Sequence, residues 1–282
     1  IVYTYLITNN KQTFHLLPLN SKWTRQIRHP KLIWYIFLFL HGFPVMEFFC
    51  AIILDKINQG GPFMNSQAQL TTIKTFAKSK LAADKTGHNF DHIQRVVKLA
   101  KRLAKAQSKP VDLTVILAAA YLHDTIDDKL VASPKQAVSE VRKLLASLAF
   151  SSAQSDEIIH IITHMSYASN LSAKQALSLE GQIVQDADWL DAIGAIGITR
   201  AIYYGGAHGE KIYDPEILPR TQLDKASYRN LADETIINHF YEKLFKLADM
   251  LNTPQARALA ASRQQVMKDF VATFKAEWDA EA

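Results

Sequence analysis

Cysteine is almost absent from this sequence: 282 residues include only Cys50. That excludes an intramolecular disulfide framework and a thiolate metal centre, and it fits a reducing, cytoplasmic setting. Glycine is sparse too, at 10 residues. No stretch rich in glycine, serine or proline divides the chain beyond residue 64, so one domain is the simplest reading there. Past Gln67 there is neither sustained apolar and polar alternation nor an Asn-Gly hairpin signal, which argues against a sheet protein. Internal repeats are missing, which excludes a solenoid. The formal net charge of +5 invites a nucleic-acid partner, but +4 of it falls within residues 1–63, where Lys11, Lys22, Arg25, Arg28, Lys31 and Lys56 face only Glu47 and Asp55. The remainder is nearly neutral, and no nucleic-acid partner is expected.

What is present begins with a hydrophobic run. Residues 32–54, LIWYIFLFLHGFPVMEFFCAIIL, are long enough to cross a bilayer as a helix and follow three basic residues. His41, Gly42, Pro44 and Glu47 interrupt the run, and a proline and a buried glutamate are both costly in lipid, so a membrane segment is not expected. A second reading accounts for more. The chain starts at Ile1, Met64 opens a stretch of different composition, and Gln59-Gly60-Gly61 can be encoded by a purine run resembling a bacterial ribosome-binding site. Residues 1–63 are therefore expected to be non-native or translated upstream sequence, and residues 64–282 the functional domain.

From Gln67 onward apolar residues recur at helical spacing. The pattern predicts an all-α domain with helices near 66–81, 88–107, 111–125, 134–148, 152–165, 172–178, 187–205, 221–250 and 254–279. Residues 205–220, GGAHGEKIYDPEILPR, lack periodicity and are expected to form a lid or a substrate-contacting loop. On the last helix Leu259, Val266, Phe270, Phe274 and Trp278 share a face, which makes it a core face or a homodimer face.

The residues able to carry chemistry are His88 and His92 in GHNFDHIQRV, His123 and Asp124 in AAAYLHDTIDD, and Asp188 in VQDADWLDAIGA. A His-Asp dipeptide is weak evidence alone. This one follows the apolar run VILAAAYL, so the aspartate is expected at the inner end of a core helix, where an unpartnered carboxylate is costly and a cation is the simplest partner. Two imidazoles with two carboxylates make a mixed nitrogen and oxygen site, suited to octahedral Mn²⁺, Fe²⁺, Co²⁺ or Ni²⁺ rather than structural zinc. Four protein ligands leave two positions, for a water and a phosphoryl oxygen.

These motifs resemble the HD superfamily of metal-dependent phosphohydrolases. The segments GHNFDHIQRVVKLA, LHDTIDDKL, QDADWLDAIGAIGITRAIYYGG and HFYEKLFKLADMLNT are similar to its YedJ/YpgQ-type bacterial branch, over about residues 88–253. The resemblance implies a helical bundle with one metal site in its core, held by His92, His123, Asp124 and Asp188. It implies a nucleotide substrate and, more sharply, a nucleoside triphosphate pyrophosphohydrolase using Mn²⁺. A 5′-nucleotidase or alarmone hydrolase is the alternative within the class, and a non-catalytic metal- or nucleotide-sensing domain the alternative outside it. Related alarmone hydrolases carry a Glu-Asp pair where this chain has Asp127-Asp128. That pair is the expected catalytic group, Asp127 ahead of Asp128, orienting the attacking water or moving a proton to the leaving group; the bland alternative is a solvated helix end.

Four further residues are candidate substrate contacts, each with a plainer reading. His88 is a phosphate contact, a brace for a ligand, or a helix-start residue. Arg200 is a phosphate contact by resemblance, or a surface ion pair; Tyr203 stands beside it. Lys243 is a phosphate contact or an exposed helical lysine. Asp91 and Arg95 are spaced for an ordinary helix ion pair, Asp186 for a cap on a helix starting near Ala187, and Asp191 for a brace behind a metal ligand. His164 and His239 read as satisfied core histidines.

Overall fold

A computed structural model describes residues 2–8, 11–17, 65–82, 89–128, 130–224, 227–228, 230 and 234–281. Contacts divide the chain into two units, residues 1–62 and 63–282. In the first, β1 (Val2–Thr8) and β2 (Lys11–Leu17) form an antiparallel hairpin whose register runs from Val2 opposite Leu17 to Thr8 opposite Lys11. The sequence pattern had assigned this hairpin no structure. The hydrophobic run at 32–54 lies outside the described residues, and among those described no helix is long and apolar enough to cross a membrane.

The second unit is helical throughout its described elements: α1 (Ser66–Lys80), α2 (Phe90–Lys105), α3 (Leu113–Leu122), α4 (Pro134–Ser147), α5 (Ser152–His164), α6 (Leu179–Asp191), α7 (Gly194–Ala207), α8 (Ile236–His239), α9 (Phe245–Met250) and α10 (Pro254–Trp278). A π turn, Phe240–Leu244, joins α8 to α9 without a break. The organising element is α3. Its sequence LTVILAAAYL is apolar on every side, residues 115–120 are all buried, and it packs against α1, α2, α5 and α6. Alanines at 118, 119 and 120 let those neighbours approach closely. Helix α2 is amphipathic instead. Ile93, Val96, Ala100 and Leu103 face the core, while Arg102 and Lys105 sit in its last turn, where positive charge favours the helix dipole. Each fully buried aliphatic side chain of this kind contributes about 1.5–3 kcal/mol.

Local caps set the boundaries. Asn89, Asp112, Ser133, Ser151, Ser178 and Thr253 each accept a backbone N–H with their side chains at helix starts, and Ser151 with Gln154 makes a reciprocal capping box.

Three expected helices are corrected. No helix occupies 172–178; the chain runs through a short 3₁₀ turn, Ala168–Asn170, and α6 starts only after the Ser178 cap. The helix expected over 187–205 is two helices, because Gly194 has φ +78° and a side chain there would meet Arg263 Cβ at 2.9 Å. Of the helix expected over 221–250, residues 221–224 are non-helical and the continuous helix starts at Ile236. Asp186 is also reassigned. It lies within α6, fully buried, and accepts hydrogen bonds from Asn252 N, Thr253 N and Thr253 Oγ1 at 2.7–2.8 Å, so it ties α6 to the start of α10 rather than capping its own helix.

On α10, Ala256, Ala260, Met267 and Val271 are buried, and Phe270 and Phe274 pack partly against the core. Val266 and Trp278 are about half exposed, at 45% and 50%, so the face read as apolar is only partly core.

Candidate metal centre

Three helices converge on one point. Asn89 starts α2 so that His92 falls on its first turn, 1% exposed. Helix α3 carries the chain through the core and delivers His123 and Asp124 in the 3₁₀ turn that follows it, His123–Ile126. The Thr125 hydroxyl donates to Leu122 O at 2.6 Å and helps close that turn. Asp188 comes from α6, which packs against both α2 and α3.

The imidazole orientations decide what this cluster can hold. His123 Nδ1 lies 3.0 Å from Ala120 O, a group that only accepts, so Nδ1 carries a proton and Nε2 is the atom turned toward the cluster. His92 Nδ1 lies 2.7 Å from Asp191 Oδ2, which places a proton on Nδ1 in the same way. The two Nε2 atoms then face each other at 3.3 Å. Two carboxylates close on the same point. Asp124 Oδ2 is 3.4 Å from His92 Nε2, Asp124 Oδ1 is 3.2 Å from His123 Nε2, and Asp188 Oδ1 is 3.4 and 3.7 Å from the two rings. Ligand atoms of His92, His123 and Asp188 all lie within 4.8 Å of one another. Converging lone pairs and negative charge in a buried place require a cation, and both rings have the back-side acceptor typical of metal-bound histidine. The donor set fits a divalent metal.

The carboxylates of the cluster also set how its groups titrate. Burial and Arg200 push the His92 pKa down, but hydrogen bonds to Asp188 and Asp191 and the charge of Asp124 outweigh them and raise it. Burial raises Asp188, yet the His92 hydrogen bond and the charges of His123, His92 and Arg200 hold it well below the usual carboxylate range. Asp191, 2% exposed, is likewise favoured by burial to protonate, but its bonds to His92 and Arg95 hold it down at about 2. Asp191 is the brace the spacing suggested, and more than that. Arg95 donates to it through Nε and Nη2 at 2.7 and 3.0 Å, and Arg200 Nη1 lies at 3.3 Å. The expected Asp91–Arg95 pair is thus replaced by a link between α2 and α6.

A cavity of about 390 Å³ opens on the cluster. Asp127, Asp128, Arg200 and Lys243 line it together with His92, His123, Asp124 and Asp188. Asp127 sits where the 3₁₀ turn ends in extended backbone, so the acidic pair follows the ligands around a corner rather than along a helix face. Lys243 Nζ stands 5.4 and 5.8 Å over the rings of Tyr167 and Tyr228. Tyr203 is not in the lining and is 54% exposed. Four residues beyond Arg200, its neighbour Tyr204 is the half-buried one; burial, Tyr228 and nearby carboxylates push its phenol up to about 12. His88 lies outside the described residues. His239 and His164 are hydrogen-bonded as expected, by Glu234 Oε1 at 2.7 Å and His160 O at 2.8 Å, but both are half-buried rather than in the core.

The sequence reading missed Lys135, Thr163, Ser166 and Tyr167 in the lining. Lys135 was findable, since it follows a Ser-Pro helix start shortly after the acidic pair. Ser166 and Tyr167 lie beyond the end of α5, where periodicity carries no signal.

Fold and site together define a helical domain with a buried cluster of two histidines and two aspartates, of which His92, His123 and Asp188 could hold a metal ion. An HD domain family model matches residues 89–193, from the α2 cap to the end of α6. The chain belongs to the HD superfamily of hydrolases, whose domains bind divalent metal. It is 38% identical over 209 residues to the uncharacterised protein YpgQ of Bacillus subtilis, covering 74% of this chain and 93% of that one. A crystal structure from Lactobacillus plantarum is similar at 53% identity and a TM-score of 0.69, covering 75% of this chain and 97% of that one. The crystal structure of YpgQ in complex with ADP is similar at 36% identity and a TM-score of 0.60, covering 76% and 97%. An HD-superfamily hydrolase from Bacillus thuringiensis is similar at 36% identity and a TM-score of 0.59, covering 77% and 100%.

Proposed function

We propose that residues 64–282 form a nucleoside triphosphate pyrophosphohydrolase of the cytoplasm, with His92, His123, Asp124 and Asp188 holding one divalent cation, Mn²⁺ by preference. The observation that carries the reading is the pair of Nε2 atoms facing each other at 3.3 Å, with two carboxylates around them, at the wall of a cavity that also holds cationic side chains. When bound, the cation neutralises phosphate charge and makes water more acidic. The chain's own groups do the rest. Asp127 and Asp128 orient the attacking water and take its proton. Arg200 and Lys243 bind the phosphates, and the cavity wall around Tyr167 and Tyr228 limits access of other water. Water attacks the α-phosphorus, the bond to the bridging oxygen breaks, and pyrophosphate leaves with the electron pair while the nucleoside monophosphate keeps the new oxygen. The ADP complex of YpgQ supports a nucleotide as ligand.

The test is product analysis. The full chain with Mn²⁺ is incubated with nucleoside mono-, di- and triphosphates and with alarmones. Monophosphate and pyrophosphate in equal amounts are expected from triphosphates; orthophosphate release from monophosphates, or pyrophosphate only from alarmones, replaces the proposed substrate. No turnover of any phosphate ester or anhydride leaves the sensing role.

A further inference from the structure

We propose that Arg220 is a positioning residue that fixes Tyr228 and Lys243 in the cavity wall and thereby sets affinity for the phosphate ligand, not for the metal. The inference rests on the reading above for the nature of that ligand.

Arg220 closes the non-helical segment after α7, and its donors are fully engaged. Nε donates to Glu242 Oε2 at 2.9 Å, Nη2 reaches Glu242 and also Glu234 Oε2 at 3.1 Å, and its backbone N–H donates to Glu242 Oε1 at 2.9 Å. Nη1 donates to the carbonyls of Ser227 and Asn230, both at 2.9 Å. Those carbonyls flank Tyr228, which lines the metal cavity with its ring 5.4 Å from Tyr167. Glu242 is fully buried in the π turn and is the residue before Lys243. One guanidinium thus ties the backbone on both sides of Tyr228 to the carboxylate next to Lys243.

A buried ion pair adds little stability over an apolar pair of similar volume; its best-attested use is to fix register. Fixing register is what this site needs. The described residues 208–224 form no helix leading up to Tyr228, and π turns occur mostly as single insertions, frequently at functional sites. The five N–H donors of the arginine fork meet two carboxylates and two carbonyls at once; an ammonium offers only three donors, all on a single atom. The acceptors of Arg220 are Glu242, Glu234 and the two carbonyls, none of them a candidate metal ligand. Loss of the fork therefore loosens one wall of the cavity and leaves the metal cluster in place.

The test compares the full-length wild type with Arg220→Lys, which keeps the charge against Glu242 but cannot bracket Tyr228. Calorimetry measures Mn²⁺ binding, then binding of α,β-methylene-ATP at saturating Mn²⁺; hydrogen exchange follows the backbone. Analogue affinity is expected to fall about tenfold or more, as misplacement of contacts at a distance commonly does, with Mn²⁺ affinity within about twofold. Exchange at residues 227–230 rises while α2 and α6 stay protected. Glu242→Gln, which preserves shape, shows the same split and covers the case of an Arg220 variant that does not fold. Equal loss of Mn²⁺ and analogue affinity, or no loss of either, overturns the proposal. Tight analogue binding without turnover in the wild type sinks the hydrolase reading alone, and the Arg220 comparison is then read from binding. Failure of the wild type to bind the analogue overturns both.

Discussion

The His-Asp cluster and the part of the cavity wall formed by Tyr228 and Lys243 are built by different means. His92, His123, Asp124 and Asp188 ride on or directly after α2, α3 and α6, whose packing is the core of the domain. Tyr228 lies beyond the non-helical residues 208–224 and Lys243 sits in a π turn, and the backbone beside Tyr228 is held by hydrogen bonds from the Arg220 side chain. The first arrangement is rigid because moving a ligand means moving a core helix. The second depends on a few hydrogen bonds, so it is where ligand preference can change without loss of the fold.

Perturbing the cluster should have the largest effect. Outer partners of metal-binding histidines commonly cost about 10–100-fold in metal affinity when lost, so removing a ligand by Asp188→Ala should exceed that range, read by Mn²⁺ titration. Asp191→Asn should fall within it, since His92 loses its charged back-side partner and Arg95 its carboxylate. A comparable loss from Tyr203→Ala would erase the contrast, because that side chain lies outside the cavity lining. Next in size, Leu103→Ala in the last turn of α2, at the other end of that helix from His92, should lower stability by about 2–5 kcal/mol in urea unfolding, through a cavity in the core.

The smallest effect concerns the wall and is a pH dependence. Burial raises the Glu234 pKa, but the His239 hydrogen bond and the Arg220 charge outweigh it and hold the carboxyl below its ordinary range. A depressed carboxyl contributes stability that is fully present above the unfolded value, roughly pH 4.3, and is lost as pH falls through the lower folded value. Glu234→Gln should therefore reduce the acid sensitivity of unfolding, by no more than about 1 kcal/mol between pH 6 and 3. An unchanged pH slope would show that His239 and Arg220 do not hold the Glu234 carboxylate ionised.

The same contrast explains how much was readable. Helical burial has a local period, so α1 to α5 and α10 were legible, and the candidate ligands stood out because a His-Asp pair ended an apolar helix. The break at Gly194 was hidden in an unbroken apolar run, and only its close approach to Arg263 reveals the need for glycine. Asp186 and Arg220 were opaque for another reason: their partners lie 66 and 22 residues further along the chain. No local pattern encodes such pairs. Arg95 was misread because Asp91 is near in sequence while Asp191 is near in space.

The central claim is that two histidines and two aspartates form one divalent-metal site. Equilibrium titration of the metal-free protein with Mn²⁺, followed by electron paramagnetic resonance of the free ion, tests it most directly. One tightly bound ion per chain is expected in the wild type, with binding lost in His123→Ala and Asp124→Ala while helical content is kept. Undiminished binding of one ion by both variants would contradict the account.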